Sequence, residues 1–321
     1  MEPKRIELPT EFGVGTVNAY LFLEPEPVLV DCGINDAGSR KQLVAGLAAH
    51  GVGLTDLRRV VLTHAHVDHF GAAGWVAEES GAEVWIADVG YDWVVATEKR
   101  WAERIAYYGE VYLPGLGLSA EWVEKVLMFL GYSAAMSSQV PAGQARSFAA
   151  EGEIELGGWQ WQVMHVPGHA THQTCFYLAE KGWMISGDMV LAKVPAPVGE
   201  RPLPGQPRAR ALPQFLESVA RIIDLPVAKV FPGHGEPFGQ YREVLTAQLA
   251  RIEKRKGECV RLLGAGEKTV IDLVEVMYAN YPDALRMAGT WMVLGYLDVL
   301  VAEGVVEERE KGGVWYYKVI E

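Results

Sequence analysis

His64-Ala65-His66-Val67-Asp68-His69 gathers three of the chain's eight histidines and one carboxylate into six residues. Scattered at random over 321 positions, the histidines would put only about 0.15 in such a window. Histidines on a solvated loop are the plain alternative, and that density counts against it. Imidazoles and a carboxylate at this spacing suit a hard-to-borderline divalent metal such as Zn²⁺. A turn that splays alternating side chains would send two of these groups to one ion and the next two to a neighbour. The run follows Arg59-Val60-Val61-Leu62, a short apolar strand, and precedes a helix through Val76 and a second strand at Glu83 to Ile86. This β-α-β rhythm puts polar residues at a strand's C-terminal end, where α/β sites form.

Three later segments share one grammar, a strand ending in a small residue and then a ligand-type side chain. They are Val166-Pro167-Gly168-His169, Ile185-Ser186-Gly187-Asp188 and Phe231-Pro232-Gly233-His234. Their glycines let the backbone turn tightly enough for His169, Asp188 and His234 to converge. Asp31 ends the strand Val28-Leu29-Val30 in the same manner; capping a strand turn is its bland role.

Taken in order, Asp31, the HxHxDH run, His169, Asp188 and His234 resemble the five motifs of metallo-β-lactamase-fold hydrolases, over about residues 5 to 240. The resemblance extends to the hydroxyacylglutathione hydrolase-like and endoribonuclease-like branches. It implies an α/β protein, an αββα sandwich with a dinuclear metal site at one edge of its two sheets. It further implies that His64, His66 and His169 bind one ion, that Asp68, His69 and His234 bind the other, and that Asp188 bridges them while Asp31 supports the site from behind. Relatives that work at di-iron often carry Glu where His66 stands, so zinc is favoured over iron or manganese. A hydroxide between the ions would attack an acyl carbonyl, with Asp68 orienting it as a catalytic residue. Many relatives have a small residue where His172 stands, which makes His172 a candidate catalytic or substrate-contacting group. His165 is not expected to be a ligand, and His50 ends a helix.

The rest of the chain frames this site. Val17–Phe22 and Val28–Val30 predict a hairpin, and Leu43, Val44 and Leu47 mark a helix over residues 38–50. Residues 91–146 break the strand rhythm with Trp93, Trp101, Tyr107, Tyr108, Trp122, Met128 and Phe129 among helix formers. This helical insertion is either plain packing or a lid whose Tyr107 and Tyr108 help wall a substrate pocket. Strands resume at Ile154–Leu156, Trp159–Val163, Thr174–Leu178 and Trp183–Ile185. A Pro/Gly-rich loop from Pro195 to Pro207, expected to help select substrate, leads to a helix near Leu212–Ile223 and a strand at Ala228–Phe231. Lys193, five residues after Asp188, is a candidate for binding a substrate carboxylate. Three helices and a hairpin turning at Lys311-Gly312-Gly313 then form a winged-helix-like unit. The chain thus divides into a catalytic domain, 1–245, and an appended domain, 246–321.

Composition narrows the function. The chain is 50% hydrophobic and 22% charged, which excludes a disordered protein. Its net charge of −12 disfavours nucleic acid as a partner. The appended unit has 10 basic and 12 acidic residues, and Ala288–Leu300 in its third helix carries neither Lys nor Arg, unlike a recognition helix. Packing or homodimerisation suits the unit better. Cys32, Cys175 and Cys259 are too scattered for a disulfide framework. The first residues lack an apolar run, and Thr290–Ala302 is short and interrupted by Asp298, so neither a signal peptide nor a membrane span is expected and the cytoplasm is the expected compartment. The expected activity is dinuclear metal-dependent hydrolysis of a small thioester, lactone or ester. A single-strand endoribonuclease and a non-catalytic metal-stabilised binding protein are the alternatives.

Overall fold

A computed structural model of the chain describes residues 2–10, 15–193, 202 and 206–320. Six strands, β1 (Lys4–Leu8), β2 (Val17–Phe22), β3 (Val28–Val30), β4 (Arg59–Val61), β5 (Glu83–Ala87) and β6 (Ala145–Phe148), form one sheet in chain order. β1 to β3 are antiparallel, and β3 to β6 run parallel. The second sheet has the order β11-β10-β9-β8-β7, from β7 (Gly152–Leu156), β8 (Trp159–His165), β9 (Thr174–Leu178), β10 (Trp183–Gly187) and β11 (Lys229–Pro232).

Alternation along the strands explains how the sheets pack. Tyr20, Phe22, Val30 and Val61 of the first sheet meet Trp161, Val163, Phe176 and Phe231 of the second in a single buried cluster. Intervening residues such as Leu21, Leu29 and Val60 face outward and are covered by the helix Ala37–Ala48, through Leu43 and Leu47, and by the helix Ala73–Ser80. Leu212, Phe215, Val219 and Ile222 of the helix Ala211–Ile222 join Met184 and Val230 on the far side of the second sheet. Both sheets are therefore covered twice, giving the αββα layering. Each fully buried large side chain contributes about 1.5–3 kcal/mol.

The short strands β1 and β6 have no counterpart in the sequence expectations. β6 pairs with β5 from Ala145 onward, so the insertion's last two residues, Ala145 and Arg146, belong to the sheet. The helices Tyr91–Val95, Thr97–Tyr107 and Ala120–Ala135 make up most of the insertion, with a wider turn at Tyr108–Tyr112. Most of the Pro/Gly-rich loop from Pro195 lies outside the described residues.

The helix Tyr241–Leu263 runs unbroken through position 246. The helices Val270–Met277 and Asp283–Ala302 follow, with a small sheet of order β12-β14-β13 built from β12 (Lys268–Thr269), β13 (Val306–Lys311) and β14 (Val314–Val319). The third helix matches the one read in the sequence from Pro282 to Ala302. Its stretch Leu285–Ala302 is, among the described residues, the one helical segment long and apolar enough to cross a bilayer, yet 61% of it is buried within the protein. Val293, Leu294, Tyr296, Leu297 and Leu300 are core residues, and Asp298 is bound by Arg208 and Arg210.

The appended unit is tied to the catalytic half at three places. Arg208 forks onto Asp298 with two 2.8 Å hydrogen bonds and also reaches Glu308, which accepts from Tyr317. Trp315 stacks beneath Arg208 and meets Tyr112 of the insertion edge-on at 6.1 Å. The Gln248 amide donates to the backbone carbonyls of Leu191 and Lys193, just beyond Asp188.

Candidate metal centre

The candidate ligands converge at one edge of the sandwich because their strands end there. Asp31 follows β3, Thr63 and His64 follow β4, His169 follows β8, Asp188 follows β10 and His234 follows β11. Thr174, opening β9, binds the Thr63 carbonyl through both its amide and its hydroxyl, which laces the two sheets together at this edge. The HxHxDH run is irregular through His66 and helical from Val67. His66 precedes a single helical turn, Val67–Phe70, which carries Asp68 and His69.

Donor atoms gather in three groups, each within 4.8 Å: His64, His66 and His169; His64, His69 and Asp188; and Asp68, His69 and His234. His66 Nδ1 lies 2.6 Å from His169 Nε2. Asp188 touches both sides: its Oδ1 is 3.3 Å from His69 Nε2, and its Oδ2 is 3.4 Å from both His169 Nε2 and His234 Nε2. Asp68 Oδ2 is 3.3 Å from His234 Nε2.

For three of the rings, contacts on the far side fix which nitrogen points inward. His64 Nδ1 contacts the Thr63 hydroxyl, His69 Nδ1 contacts Asp31 at 2.8 Å, and His234 Nδ1 contacts the Thr16 carbonyl. The buried Nε2 atoms of His64 and His69 and Oδ1 of Asp188 are left without a hydrogen-bond partner. Buried polar atoms that lack partners are costly, and divalent cations among them would satisfy all three. The donor set, five imidazoles and two carboxylates, therefore fits such ions.

Electrostatics divide the rings. Burial and neighbouring imidazoles hold His64 and His66 well below the usual imidazole range, leaving them neutral with lone pairs available. Burial also opposes charge on His69 and His234. The carboxylates of Asp188, Asp31 and Asp68 overcome it at His69 and raise that ring to about 10. At His234, Asp188 and Asp68 raise the ring to about 11.

Asp31 does more than end a strand. Its φ is +59°, a conformation costly for a residue with a Cβ. The strain persists because its carboxylate accepts from both the Thr63 amide and the Thr63 hydroxyl while also holding His69. The glycines before the ligands also differ in purpose. Gly187 needs freedom at φ +48°. Gly233 instead provides space, since a Cβ there would collide with Asp188 Oδ1.

His172 is 1% exposed, its Nδ1 accepts from the Ala65 amide and its Nε2 has no partner. Its ring lies 6.0 Å from His66 and 6.1 Å from Trp93. Arg104, which sequence reasoning missed, sits 4% exposed over Trp93 at 4.2 Å and Trp101 at 5.4 Å. With burial as the leading cause, its positive charge helps hold His172 well below the usual imidazole range. The insertion's aromatic residues thus act partly as packing. Tyr107 and Tyr108 are buried with their rings against each other and Tyr112, and Trp122 lines a narrow cleft with Ile271 and Met287 of the appended unit. His165 bonds the Thr171 carbonyl and lies outside the three donor groups. Lys193 is exposed.

A sandwich of two sheets with this donor cluster at its edge defines a metallo-hydrolase. The chain belongs to the metallo-beta-lactamase superfamily, which it matches over residues 12–234, and residues 269–315 match the beta-lactamase associated winged helix domain. It is similar to the probable metallo-hydrolase YqjP of Bacillus subtilis, with 27% identity over 98% of this chain and 97% of that one. It also resembles an atrochrysone carboxyl ACP thioesterase of Pseudocercospora fijiensis, with 25% identity over 48% of this chain and 46% of that one. A metallo-beta-lactamase family protein of Thermus thermophilus shares the fold at a TM-score of 0.81, with 26% identity and 99% coverage of both chains.

Proposed function

We propose that the protein hydrolyses a small acyl compound, a thioester, lactone or ester, at a pair of divalent ions, zinc by the character of the donor set. The observation carrying this proposal is the position of Asp188, within 3.3–3.4 Å of imidazoles in both halves of the donor cluster. His64, His66 and His169 would hold one ion, Asp68, His69 and His234 the other, and Asp188 both. Bound there, the ions would bring the pKa of a coordinated water toward about 7 and polarise the acyl carbonyl.

The chain supplies the remaining tasks. Asp68 orients the attacking water, accepts its proton on a carboxylate oxygen and returns that proton to the sulfur or oxygen that departs as the acyl bond breaks. His172 accepts from the Ala65 amide at Nδ1, so its neutral ring carries hydrogen on Nε2, a donor for oxygen charge developing on the substrate. Trp93 and Arg104 hold that ring's surroundings. The likeness to a thioesterase favours a thioester among the acyl classes.

Chelator-treated protein should lose hydrolysis of a thioester and a lactone and regain it with Zn²⁺ or Mn²⁺. Unchanged turnover in metal-free protein would sink the proposal, as would a preference for a phosphodiester or RNA in the same panel.

A further inference from the structure

The surface opposite in character to the chain's net charge runs along the helix Tyr241–Leu263. Arg251, Lys254, Arg255 and Arg261 line a groove of about 690 Å³ in which Glu258 is the only acidic side chain. Arg251, Lys254 and Arg261 are exposed. Arg255 pairs with Glu258 at 2.6 Å, which leaves three cations of the groove facing solvent with no ion pair to a carboxylate among the described residues.

Arg251 also lines a second groove, of about 310 Å³, so the two meet at that side chain on one face of the helix. This second stretch is milder in charge, with Ala192, Val244 and Ala247 beside Lys193, Glu243 and Gln248. It reaches the segment after Asp188, which Gln248 pins to the helix. Five residues separate Lys193 from Asp188, a span of at most about 17 Å. From Val244 to Arg261 the helix extends about 25 Å.

A single carboxylate would use only a small part of such a track. Its form, a weakly charged stretch near the metal edge followed by a cationic stretch farther out, matches a ligand with a neutral arm and several negative charges at its far end. Among the described residues the cationic stretch has no aromatic side chain in its lining, so recognition there rests on phosphates rather than on stacked bases. We infer that these joined grooves bind the phosphorylated handle of a thioester substrate of the coenzyme A type, its amide arm along Val244 and Ala247 and its phosphates on Arg251, Lys254 and Arg261. This inference deepens the acyl-hydrolase function and rests on it for the word substrate; the anion site itself does not.

Two measurements on the full-length, metal-loaded protein test it. The first compares kcat/KM for acetyl-coenzyme A with that for acetyl-pantetheine, which has the arm without phosphates. In Lys254→Glu/Arg261→Glu the ratio of the two should fall about tenfold or more, and raised salt should lower it in the unmodified protein. The second is calorimetric titration with coenzyme A, which reports binding whether or not hydrolysis occurs. Binding should weaken by a similar factor in the same variant and in the milder Lys254→Gln/Arg261→Gln.

An unchanged ratio, or no detectable binding of coenzyme A, overturns the inference. So does a single-stranded oligonucleotide binding at the same residues while coenzyme A does not. If neither thioester is hydrolysed, the acyl-hydrolase function fails; coenzyme A binding lost in both variants would then still support the anion site.

Discussion

Two buried clusters of charge lie at opposite kinds of boundary in this molecule, and they are finished differently. Where the catalytic half meets the winged helix, Asp298 accepts on both oxygens from Arg208 and again from Arg210, and Glu308 is held by Arg208 and Tyr317. At the sheet edge the outward sides of the His64, His69 and His234 rings are satisfied, but inward-facing atoms of His64, His69 and Asp188 have no hydrogen-bond partner. The first cluster is closed, with cations and carboxylates answering one another. The second is incomplete in a directed way, since what it lacks is positive charge at the centre of the donors. A closed cluster anchors; an open one binds.

Removing one member of each cluster should therefore give opposite signatures. Asp188→Ala and His66→Ala should each lose metal, measured by elemental analysis, and lower kcat/KM by about a thousandfold or more, with the fold retained by circular dichroism. Retained metal at full stoichiometry in Asp188→Ala would contradict a bridging position. Asp298→Asn should do the reverse. Leaving Arg208 and Arg210 short of a buried carboxylate should cost about 3 kcal/mol in denaturant unfolding while metal content stays unchanged.

Asp31 tests whether the outward contacts matter to the open cluster. Asp31→Asn keeps a side chain tolerant of positive φ but removes the charge that holds His69, and metal affinity should fall about ten- to a hundredfold in competition with a chelating dye. No change would reduce Asp31 to a strand-turn cap. Gly115→Ala probes the closed side most gently. Its Cβ would come 2.7 Å from the Trp315 ring, and unfolding free energy should drop by about 1 kcal/mol with metal affinity unaffected.

The open cluster was far more legible in the sequence than the closed one. HxHxDH is a local pattern, and Gly168-His169, Gly187-Asp188 and Gly233-His234 repeat a strand-end grammar that can be read a few residues at a time. Three-residue β4 could be found because Val60, Val61 and Leu62 make an apolar run up to Thr63, whereas β6 is half exposed and exists through its pairing with β5, across the whole insertion. The Arg208–Asp298 contact joins residues 90 apart in the chain, and neither carries a local mark of its partner. Arg104 sits among other charged residues in Thr97–Tyr107, and only the placement of Trp93 and Trp101 around it makes it a buried cation. Gly233 was legible as a glycine, but a turn was the wrong reason; the constraint is a side chain from the end of β10, far earlier in the chain, that needs the room.

The 23-residue helix from Tyr241 to Leu263 has a consequence for how such chains are inherited. It begins against the helix Ala211–Ile222, where Tyr241 donates to the Ile222 carbonyl, and ends in the buried core at Leu263. On the way its Gln248 holds the backbone beside Lys193. A recombination event that exchanged the appended unit at residue 246 would cut this helix in mid-turn and replace the residue that secures the segment after Asp188. The winged helix is therefore not a detachable cassette at this boundary: exchanging it there also exchanges the hold on the segment beside the donor cluster.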